Sequence, residues 1–205
     1  MNPIYTVHNS RMALTVYDDL DRTRTWRGET QPSPAFRFEL TPKSEVGPGR
    51  YALNRAGTLG HTLSLDRARL LFFDLAHGYF NEDYQVIFRN DNGHKVERTG
   101  GYQARMLTAT FRAYNALQNS TPRVVLEIWD GPGAWDHKAE WAYPLNKEQH
   151  ALAIMLDLVE ARQLALAALD VIQTWNTVKL LRDWGVIGEP ALGVPRQLTL
   201  LEAVG

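Results

Sequence analysis

Cysteine is absent from the 205 residues of this chain. Disulfide bonds, zinc–thiolate sites and cysteine nucleophiles are therefore excluded. The sequence also lacks the common catalytic and phosphate-binding patterns: it contains no His-Glu-x-x-His pair, no Gly-x-Ser-x-Gly elbow and no Gly-x-x-x-x-Gly-Lys loop. We therefore predict a protein that is not an enzyme and that has no cofactor and no metal site.

Long apolar runs and a leader-like N-terminus are lacking as well. No apolar stretch approaches the roughly 18 residues that a membrane-spanning helix needs, and the first residues do not combine a basic segment with an apolar one. An excess of either charge is also missing, since 22 basic and 23 acidic residues leave a net charge of −1. This balance argues against a strongly basic, histone-like protein but permits a local basic face. We expect a globular, cytoplasmic protein without membrane contacts.

Alternating apolar and polar residues are abundant, and they predict strands. Phe36, Phe38 and Leu40 alternate with Arg37 and Glu39, which places the two sets on opposite faces of one strand. A helix over 104–117 is the alternative to a long strand over 102–114. We predict strands at 12–17, 25–27, 35–40, 50–56, 84–89, 94–98, 102–114, 123–130 and 140–145, a loop at 42–48, a turn at 131–133, and a helix at 65–77 between Ser64 as cap and Gly78 as stop.

A second, much longer helix is predicted at the C-terminal end of the domain. Asn146 is a suitable N-cap with Gln149 at the third helical position, and Gly185 follows the last apolar residue, Trp184. A helix of roughly 39 residues would span about 58 Å, more than a domain of this size accommodates. We therefore expect a break near 175–177 or packing on a partner chain. The predicted core face is Leu152, Met155, Leu158, Val159, Arg162, Leu166, Leu169 and Ile172.

The order of these elements predicts an α+β fold. Two antiparallel β-sheets are each followed by a helix, giving the order β-β-β-β-α twice, and the C-terminal helix is the longer one. We predict a single domain over residues 1–185, built from two pseudo-repeats at about 12–78 and 84–185. Residues 186–205 form a C-terminal tail.

Aromatic and basic residues are interleaved along the predicted strands. This mixture is typical of proteins that bind single-stranded nucleic acid, because aromatic faces stack on bases and cations neutralise the backbone. Core packing should claim half or more of the aromatics. Alternation places Arg89 with Gln85 and Ile87, and Arg105 with Gln103 and Phe111, on faces that we expect to meet solvent. The predicted nucleic-acid-binding residues are Arg37, Arg55, Arg89, Lys95, Arg98, Arg105, Phe111 and Arg112.

The distal turns of the long helix predict a contact between copies of the chain. Trp175, Leu180, Leu181 and Trp184 are costly to expose to water, and aromatic residues are enriched at the centres of protein interfaces. We therefore expect a homo-oligomer that is held through the C-terminal helix.

Acidic clusters offer an alternative function. Asp18, Asp19 and Asp21 could hold a divalent cation, although the glycine and the distal glutamate of an EF-hand loop are missing. A solvated turn is the preferred interpretation. Asp136 and His137 could act as a general base near Asp130, but an exposed polar loop explains them as well. The alternatives are thus a hydrolase or nuclease, and a structural or assembly protein, for example of a phage, that makes only protein contacts.

The order and lengths of the elements resemble the Whirly-type single-stranded nucleic-acid-binding fold. Kinetoplastid guide-RNA-binding proteins, Pur-alpha repeats and the PC4 coactivator share related arrangements. The resemblance covers residues 12 to about 175 and carries no functional residue over to this chain. It implies binding of single-stranded DNA or RNA across sheet surfaces and oligomers built through helices. We predict DNA as the preferred ligand.

Overall fold

The computed structural model describes residues 3–26, 28–81, 83–89, 94–96, 101–113, 121–136, 138, 141–144 and 150–187. The N-terminal elements are β1 (Pro3–His8), β2 (Met12–Asp19), β3 (Thr23–Trp26), β4 (Glu29–Pro32), β5 (Ala35–Gly47), β6 (Arg50–Leu53), a 3₁₀ helix (Arg55–Gly57), β7 (Leu59–Ser64) and α1 (Leu65–His77). The C-terminal elements are β8 (Gln85–Arg89), β9 (His94–Val96), β10 (Gly101–Arg112), β11 (Arg123–Asp136), β12 (Trp141–Pro144), β13 (Ala151–Asp157) and α2 (Leu158–Asp183).

Two antiparallel meanders organise the molecule. In the first sheet, β1, β2, β5 and β7 pair in that order, and α1 begins directly after β7. In the second sheet, β8, β10, β11 and β13 pair in the same manner, and α2 begins directly after β13. The predicted α+β class, with the order β-β-β-β-α twice and a long C-terminal helix, is confirmed. β1, β4, β7 and β13 have no counterpart among the predicted strands.

The hairpins of both sheets extend further than the sequence predicts. The predicted loop at 42–48 is wrong, because β5 continues to Gly47 and its second half pairs with β6. The predicted turn at 131–133 is also wrong, because β11 runs through it to Asp136 and pairs with β12. Gly131 serves close packing here: a Cβ atom at this position would lie 3.1 Å from the ring of Trp129. The predicted strand at 50–56 ends at Leu53.

The long helix begins twelve residues later than predicted. The segment Ala151–Asp157 is a strand, and all seven of its residues pair with β11. Ile154 and Leu156 are buried on one face with a period of two. The actual cap is Asp157, whose Oδ1 accepts the Glu160 N–H at 2.8 Å while Glu160 Oε2 accepts the Asp157 N–H at 3.0 Å. This reciprocal pair is a capping box; the predicted cap, 146–149, lies outside the described residues.

The buried stripe of α2 differs from the predicted core face. The predicted core face was counted at helical spacing from Leu152, but Leu152 lies in a strand. The predicted apolar face of the helix is therefore rotated relative to the face that is actually buried. Leu158, Val159 and Leu166 are exposed, as is Met155 in β13. The residues buried in the first half of α2 are instead Ala161, Leu164, Ala165 and Ala168.

The second half of α2 is continuous. The helix passes through 175–177 without interruption and ends at Asp183, so the predicted break is wrong. Gly185 follows with a φ of 70°, in the left-handed conformation expected of a residue that terminates a helix. Over the described part of the chain, neither helix is both long and apolar enough to cross a membrane.

Three phenylalanine rings pack the first sheet against α1. Phe72 of α1 meets Phe36 edge-on with ring centroids 5.2 Å apart, and it stacks on Phe38 at 5.8 Å. The boundaries of α1 match the prediction, and Gly78 ends it with a φ of 68°. The face of the first sheet that carries Phe36 and Phe38 is therefore its inner face, and the opposite face is available for other functions.

Residues 1–169 and 170–205 form separate compact units. The first unit contains the strands described above, α1 and the first half of α2. The second contains the remainder of α2, and it is described up to residue 187. The predicted organisation as a single domain over 1–185 with a tail over 186–205 stays a prediction.

Candidate nucleic-acid interface

The outer face of the first sheet is polar and built on small residues. In β2, Thr15 and Tyr17 alternate with the buried Leu14 and Val16. In β5, Arg37 alternates with buried phenylalanines in the same manner. We define the outer face by Ala13, Thr15 and Tyr17 of β2, Ala35, Arg37, Glu39 and Thr41 of β5, and Gly60, Thr62 and Ser64 of β7.

This outer face forms the floor of a concave cavity of about 690 Å³. One end of the cavity is lined by residues that follow β2 and precede β5, and the other end by residues around the 3₁₀ helix. At that end, Thr58 forms a hydrogen bond with Thr41 of the floor, and their Oγ1 atoms are 3.0 Å apart. At about 3.3 Å per residue, the six or seven residues between the two ends span roughly 20 Å. The wall residues are Arg22, Arg24, Ser33, Leu53, Arg55, Thr58 and Arg105.

Positive charge dominates the lining. We call this site the arginine cavity, defined by Arg22, Arg24, Arg37, Arg55 and Arg105. Glu39 is the one carboxylate among the lining residues, and its Oε1 lies 2.6 Å from Nη2 of Arg37.

Glu39 is also bound by a second lining group. Burial raises the pKa of the Tyr17 phenol, and the negative charge of Glu39 and a hydrogen bond to its carboxylate raise that pKa further. The phenol therefore stays protonated and can donate to Glu39. Glu39 therefore offsets the positive charge of Arg37, and its removal would raise the positive charge that a ligand meets.

Arg105 reaches the cavity from the second sheet. Its Nη2 lies 2.7 Å from Oδ2 of Asp130, its direct cross-strand neighbour, and the other carboxylate oxygen accepts from Nε2 of Gln103 at 2.8 Å. The Asp130 side chain is 12% exposed and that of Arg105 is 35% exposed. The carboxylate thus holds the guanidinium in one place while part of it remains open to solvent.

A buried histidine lies behind the cavity floor. His61 occupies β7 between Gly60 and Thr62, and its side chain is on the inner face and 1% exposed. In the described chain neither ring nitrogen has a hydrogen-bond partner. Burial lowers the pKa of His61 to about 3, and the positive charges of Arg105 and Arg67 contribute to the same shift. The imidazole is therefore neutral near pH 7.

The structure brings together three of the predicted binding residues, Arg37, Arg55 and Arg105, in the arginine cavity. Arg89 lies elsewhere, because it pairs with Met106 and so shares the face of β10 opposite to that of Arg105. The two arginines do not form one surface.

The other predicted binding residues are dispersed. Arg112 is exposed at the end of β10, directly opposite Arg123. Lys95 belongs to β9, and Arg98 lies outside the described residues.

Phe111 already stacks within the protein. Its ring lies parallel to that of Phe80, with centroids 5.3 Å apart, and Tyr84 meets Phe80 edge-on at 4.9 Å. The Tyr84 hydroxyl donates to Oδ2 of Asp74 at 3.1 Å, and burial, followed by the charge of Asp74, raises the Tyr84 pKa. One face of Phe111 is therefore covered by the segment that follows α1.

Sequence reasoning missed several lining residues. Arg22 and Arg24 were overlooked because the polar segment after β2 gave no sign that it returns over the sheet. Tyr51 is a further candidate, since it is 51% exposed and lies two residues from Leu53 on the same face of β6. The alternation of Thr15 and Tyr17 with buried aliphatic residues was the available signal.

The acidic clusters do not converge. Asp19 lies 4.0 Å from Arg22, Asp130 pairs with Arg105, and a carboxylate oxygen of Asp136 accepts the Lys138 N–H at 2.8 Å. Within the described ranges, no group of three or more histidine, aspartate or glutamate side chains could hold a metal ion. His137 lies outside these ranges.

The predicted oligomer residues lie at the end of α2. Leu180 is 46% exposed and Trp184 72% exposed, while Trp175 and Leu181 are half-buried. The Lys179 ammonium lies 5.5 Å from the centre of the Trp175 ring.

No family model and no curated protein matches this sequence. Two solved structures are similar to it in fold. WHY1 from Arabidopsis thaliana superposes with a TM-score of 0.54 at 11% identity, covering 93% of this chain and 96% of that one. The plant transcriptional regulator PBF-2 superposes with a TM-score of 0.50 at 12% identity, covering 91% and 96%. The predicted resemblance is thereby confirmed at the level of architecture: the chain has a Whirly-like fold.

Proposed function

We propose that this protein binds single-stranded nucleic acid, DNA in preference to RNA, along the arginine cavity. The observation that carries the proposal is the convergence of five arginines on one cavity, with Glu39 as the one carboxylate among its described lining residues. Phosphates are the ligands that such a cluster favours, because guanidinium groups bind them through several parallel hydrogen bonds. The Whirly-like fold supports the same function. Tyr17 is the aromatic residue of the described lining that could contact bases, and Tyr51 of β6 is a second exposed aromatic candidate on the strand that carries Leu53.

The length of the cavity fits a nucleic-acid strand. The arginines lie at both ends and at the centre of a floor that spans roughly 20 Å. Successive phosphates of one strand advance about 3.4 Å along the axis of a duplex and are spaced more widely in an extended single strand, so the floor can hold a few phosphates at once. The net charge of −1 does not oppose this, since the positive charge is local.

Salt dependence tests the proposal. For single strands the affinity should fall with a log–log slope of about −0.7 per phosphate contacted. Three to five contacts predict a slope of about −2 to −3.5, so that raising the salt fourfold weakens binding roughly 10- to 100-fold. Fluorescence anisotropy measures the affinity at salt concentrations between 50 and 200 mM. The labelled ligands are single-stranded DNA and single-stranded RNA of 20 nucleotides and duplex DNA of the same length. Binding that is independent of salt, or no binding at tens of micromolar protein, would contradict the proposal.

Homo-oligomerisation through the C-terminal helix is proposed on the exposure of Leu180 and Trp184. We expect Trp184→Ser combined with Leu180→Ser to lower the molar mass in solution to that of the single chain. Light scattering after size-exclusion chromatography measures the mass. The matched control, Asp170→Ser with Asp183→Ser, alters exposed polar positions of the same helix. A wild-type protein that already has the mass of one chain refutes the proposal.

A structural or assembly protein without nucleic-acid ligands is the second candidate. It is favoured by an exposed ring cluster at the end of α1, in which Phe73, His77 and Tyr79 contact one another with centroid distances of 4.1, 5.6 and 5.9 Å. Phe73 is 47% exposed and Tyr79 is 61% exposed. Failure of the anisotropy experiment would direct attention to this surface. In both candidates the protein is not an enzyme, and its cytoplasmic location remains a prediction.

A further inference from the structure

We infer that the arginine cavity recognises the sugar–phosphate chain itself, so that its ligand is a linear polyanion of phosphate groups, whatever bases it carries. The inference rests on the proposed function and narrows it. It concerns which part of a strand the protein contacts, and therefore which strands it distinguishes.

The lining has the chemistry of a phosphate and sugar site. Of the seventeen lining residues, five are arginines and seven carry a hydroxyl group. Guanidinium groups supply charged donors, and hydroxyl groups can donate to phosphate oxygens or exchange hydrogen bonds with sugar oxygens. An apolar ligand surface would find little here, because Leu53 is the one large aliphatic side chain in the lining.

A platform for bases is missing from the lining. Base stacking on aromatic side chains contributes about 1–3 kcal/mol per base, but it needs an open ring face. Phe36 and Phe38 are fully buried on the inner face. Tyr17 is the one aromatic lining residue, and its phenol is engaged with Glu39. Among the described side chains of the lining, stacking is therefore restricted to a single ring.

The floor permits a close approach of the ligand to the guanidinium groups. Ala13, Ala35 and Gly60 contribute small side chains or none to the floor, which leaves room beside Arg37. A Cβ atom on Gly60 would be 3.6 Å from Nε and Nη2 of Arg37, so the Arg37 guanidinium lies across this glycine. The central arginine is thus held against the floor, where a phosphate that enters the cavity can reach it.

The experiment compares three labelled 15-residue strands: oligo-dT, an abasic strand with the same phosphates, and oligo-dT with an uncharged methylphosphonate backbone. We expect the abasic strand to bind within about threefold of oligo-dT and the uncharged strand to lose at least tenfold, because the phosphate charge drives binding. Loss of binding by the abasic strand, with oligo-dT still bound, overturns the inference and leaves the proposed function intact. If none of the strands binds, both fail.

Competition identifies the source of the polyanion. Inorganic polyphosphate that displaces oligo-dT at comparable phosphate concentration shows that the phosphate charges suffice. If it fails to compete while the abasic strand binds, phosphate charges alone are not recognised, and the inference that any linear phosphate polyanion is a ligand is overturned.

A variant tests the hydroxyl groups directly. Thr15→Val with Thr62→Val removes two hydroxyls at nearly constant shape, and we expect the affinities for oligo-dT and for the abasic strand to fall by the same factor, about three- to tenfold. Thr177→Val, outside the cavity, is the control. A loss confined to oligo-dT would overturn the inference, because it would mean that these residues contact bases.

Discussion

Replacing Arg24, Arg37 and Arg55 together by alanine will lower the affinity for a single-stranded 20-residue oligonucleotide by about 100-fold near 100 mM salt. A hydrogen bond to a charged group is worth roughly 1.5–3 kcal/mol when buried, and solvent reduces this to about 1 kcal/mol per residue at such an exposed site. The salt slope should become shallower by about 2, since each lost phosphate contact removes about 0.7. Anisotropy titrations at several salt concentrations give both numbers.

A matched variant distinguishes the effect of charge inside the cavity from the effect of the protein's net charge on the affinity. Arg69→Ala, Lys138→Ala and Lys179→Ala remove the same total charge from positions that do not line the cavity. We expect this variant to keep its affinity within about threefold, because none of the three side chains lines the cavity and salt at 0.1 M screens exposed charges that do not contact the ligand. Equal losses in both triple variants would show that the arginine cavity is not the binding site.

The opposite change should strengthen binding. Glu39→Gln removes the one lining carboxylate, releases Arg37 and keeps an acceptor for the Tyr17 hydroxyl. We expect a gain of about three- to tenfold, because a like charge next to a bound phosphate costs on the order of 1 kcal/mol at high effective dielectric. An unchanged or weaker affinity for this variant would place the ligand away from Glu39.

Lowering the pH from 6.5 to 5 will reduce the free energy of unfolding by about 2 kcal/mol through the titration of His61 alone. The folded pKa of His61 is depressed to about 3 by burial and by the charges of Arg105 and Arg67, whereas an unfolded histidine titrates near 6.5. Between these values only the unfolded chain takes up the proton. The stabilisation is therefore complete above pH 6.5 and decreases by about 1.4 kcal/mol per pH unit as the pH falls towards 3.

His61→Leu tests this assignment. The substitution removes the titrating group together with two buried nitrogens that lack partners in the described chain. We expect the variant to be at least as stable as the wild type at pH 7. The free energy of unfolding of the variant should exceed that of the wild type by an additional amount of about 2 kcal/mol when the pH is lowered from 6.5 to 5. Urea unfolding at each pH gives the difference.

His8→Leu, at an exposed position of β1, controls for the loss of a histidine as such. We expect its pH dependence to follow that of the wild type. If His61→Leu also keeps the pH dependence of the wild type, the imidazole is accessible to protons and His61 is not the source of the slope.

Periodicity in the sequence predicted the faces of the elements better than their ends. The alternation in β5 correctly separated Phe36 and Phe38 from Arg37. The limits of α1 were also correct: Gly78 ends the helix in the left-handed conformation, whereas Ser64 stands at the cap position without a side-chain capping hydrogen bond. The strand Ala151–Asp157 was assigned to a helix because its alanine, leucine and methionine residues have high helix propensity. Pairing of all seven residues with β11 overrides that propensity.

The candidate site was predicted only in part, for a related reason. Arg37 was identified because alternation places it on the polar side of a strand. Arg55 and Arg105 were proposed individually, and nothing in the sequence shows that they approach the same cavity. Arg22 and Arg24 were missed because the return of their segment over the sheet is a long-range feature. Phe111 carried the right chemistry for stacking, but its partner within the protein is Phe80, 31 positions away.

The sequence alone determined that cysteine chemistry is absent, that Phe36 and Phe38 lie opposite Arg37 in β5, and that strands followed by a helix occur twice. These properties depend on residue type and on neighbours within a few positions. The tertiary structure decided where β5 and β11 end, where α2 begins, and which arginines lie together. Those outcomes depend on backbone hydrogen bonds and packing between segments that are far apart in the chain. The free energy of these long-range contacts exceeds local conformational preferences, and the contacts are not visible as a pattern among neighbouring residues.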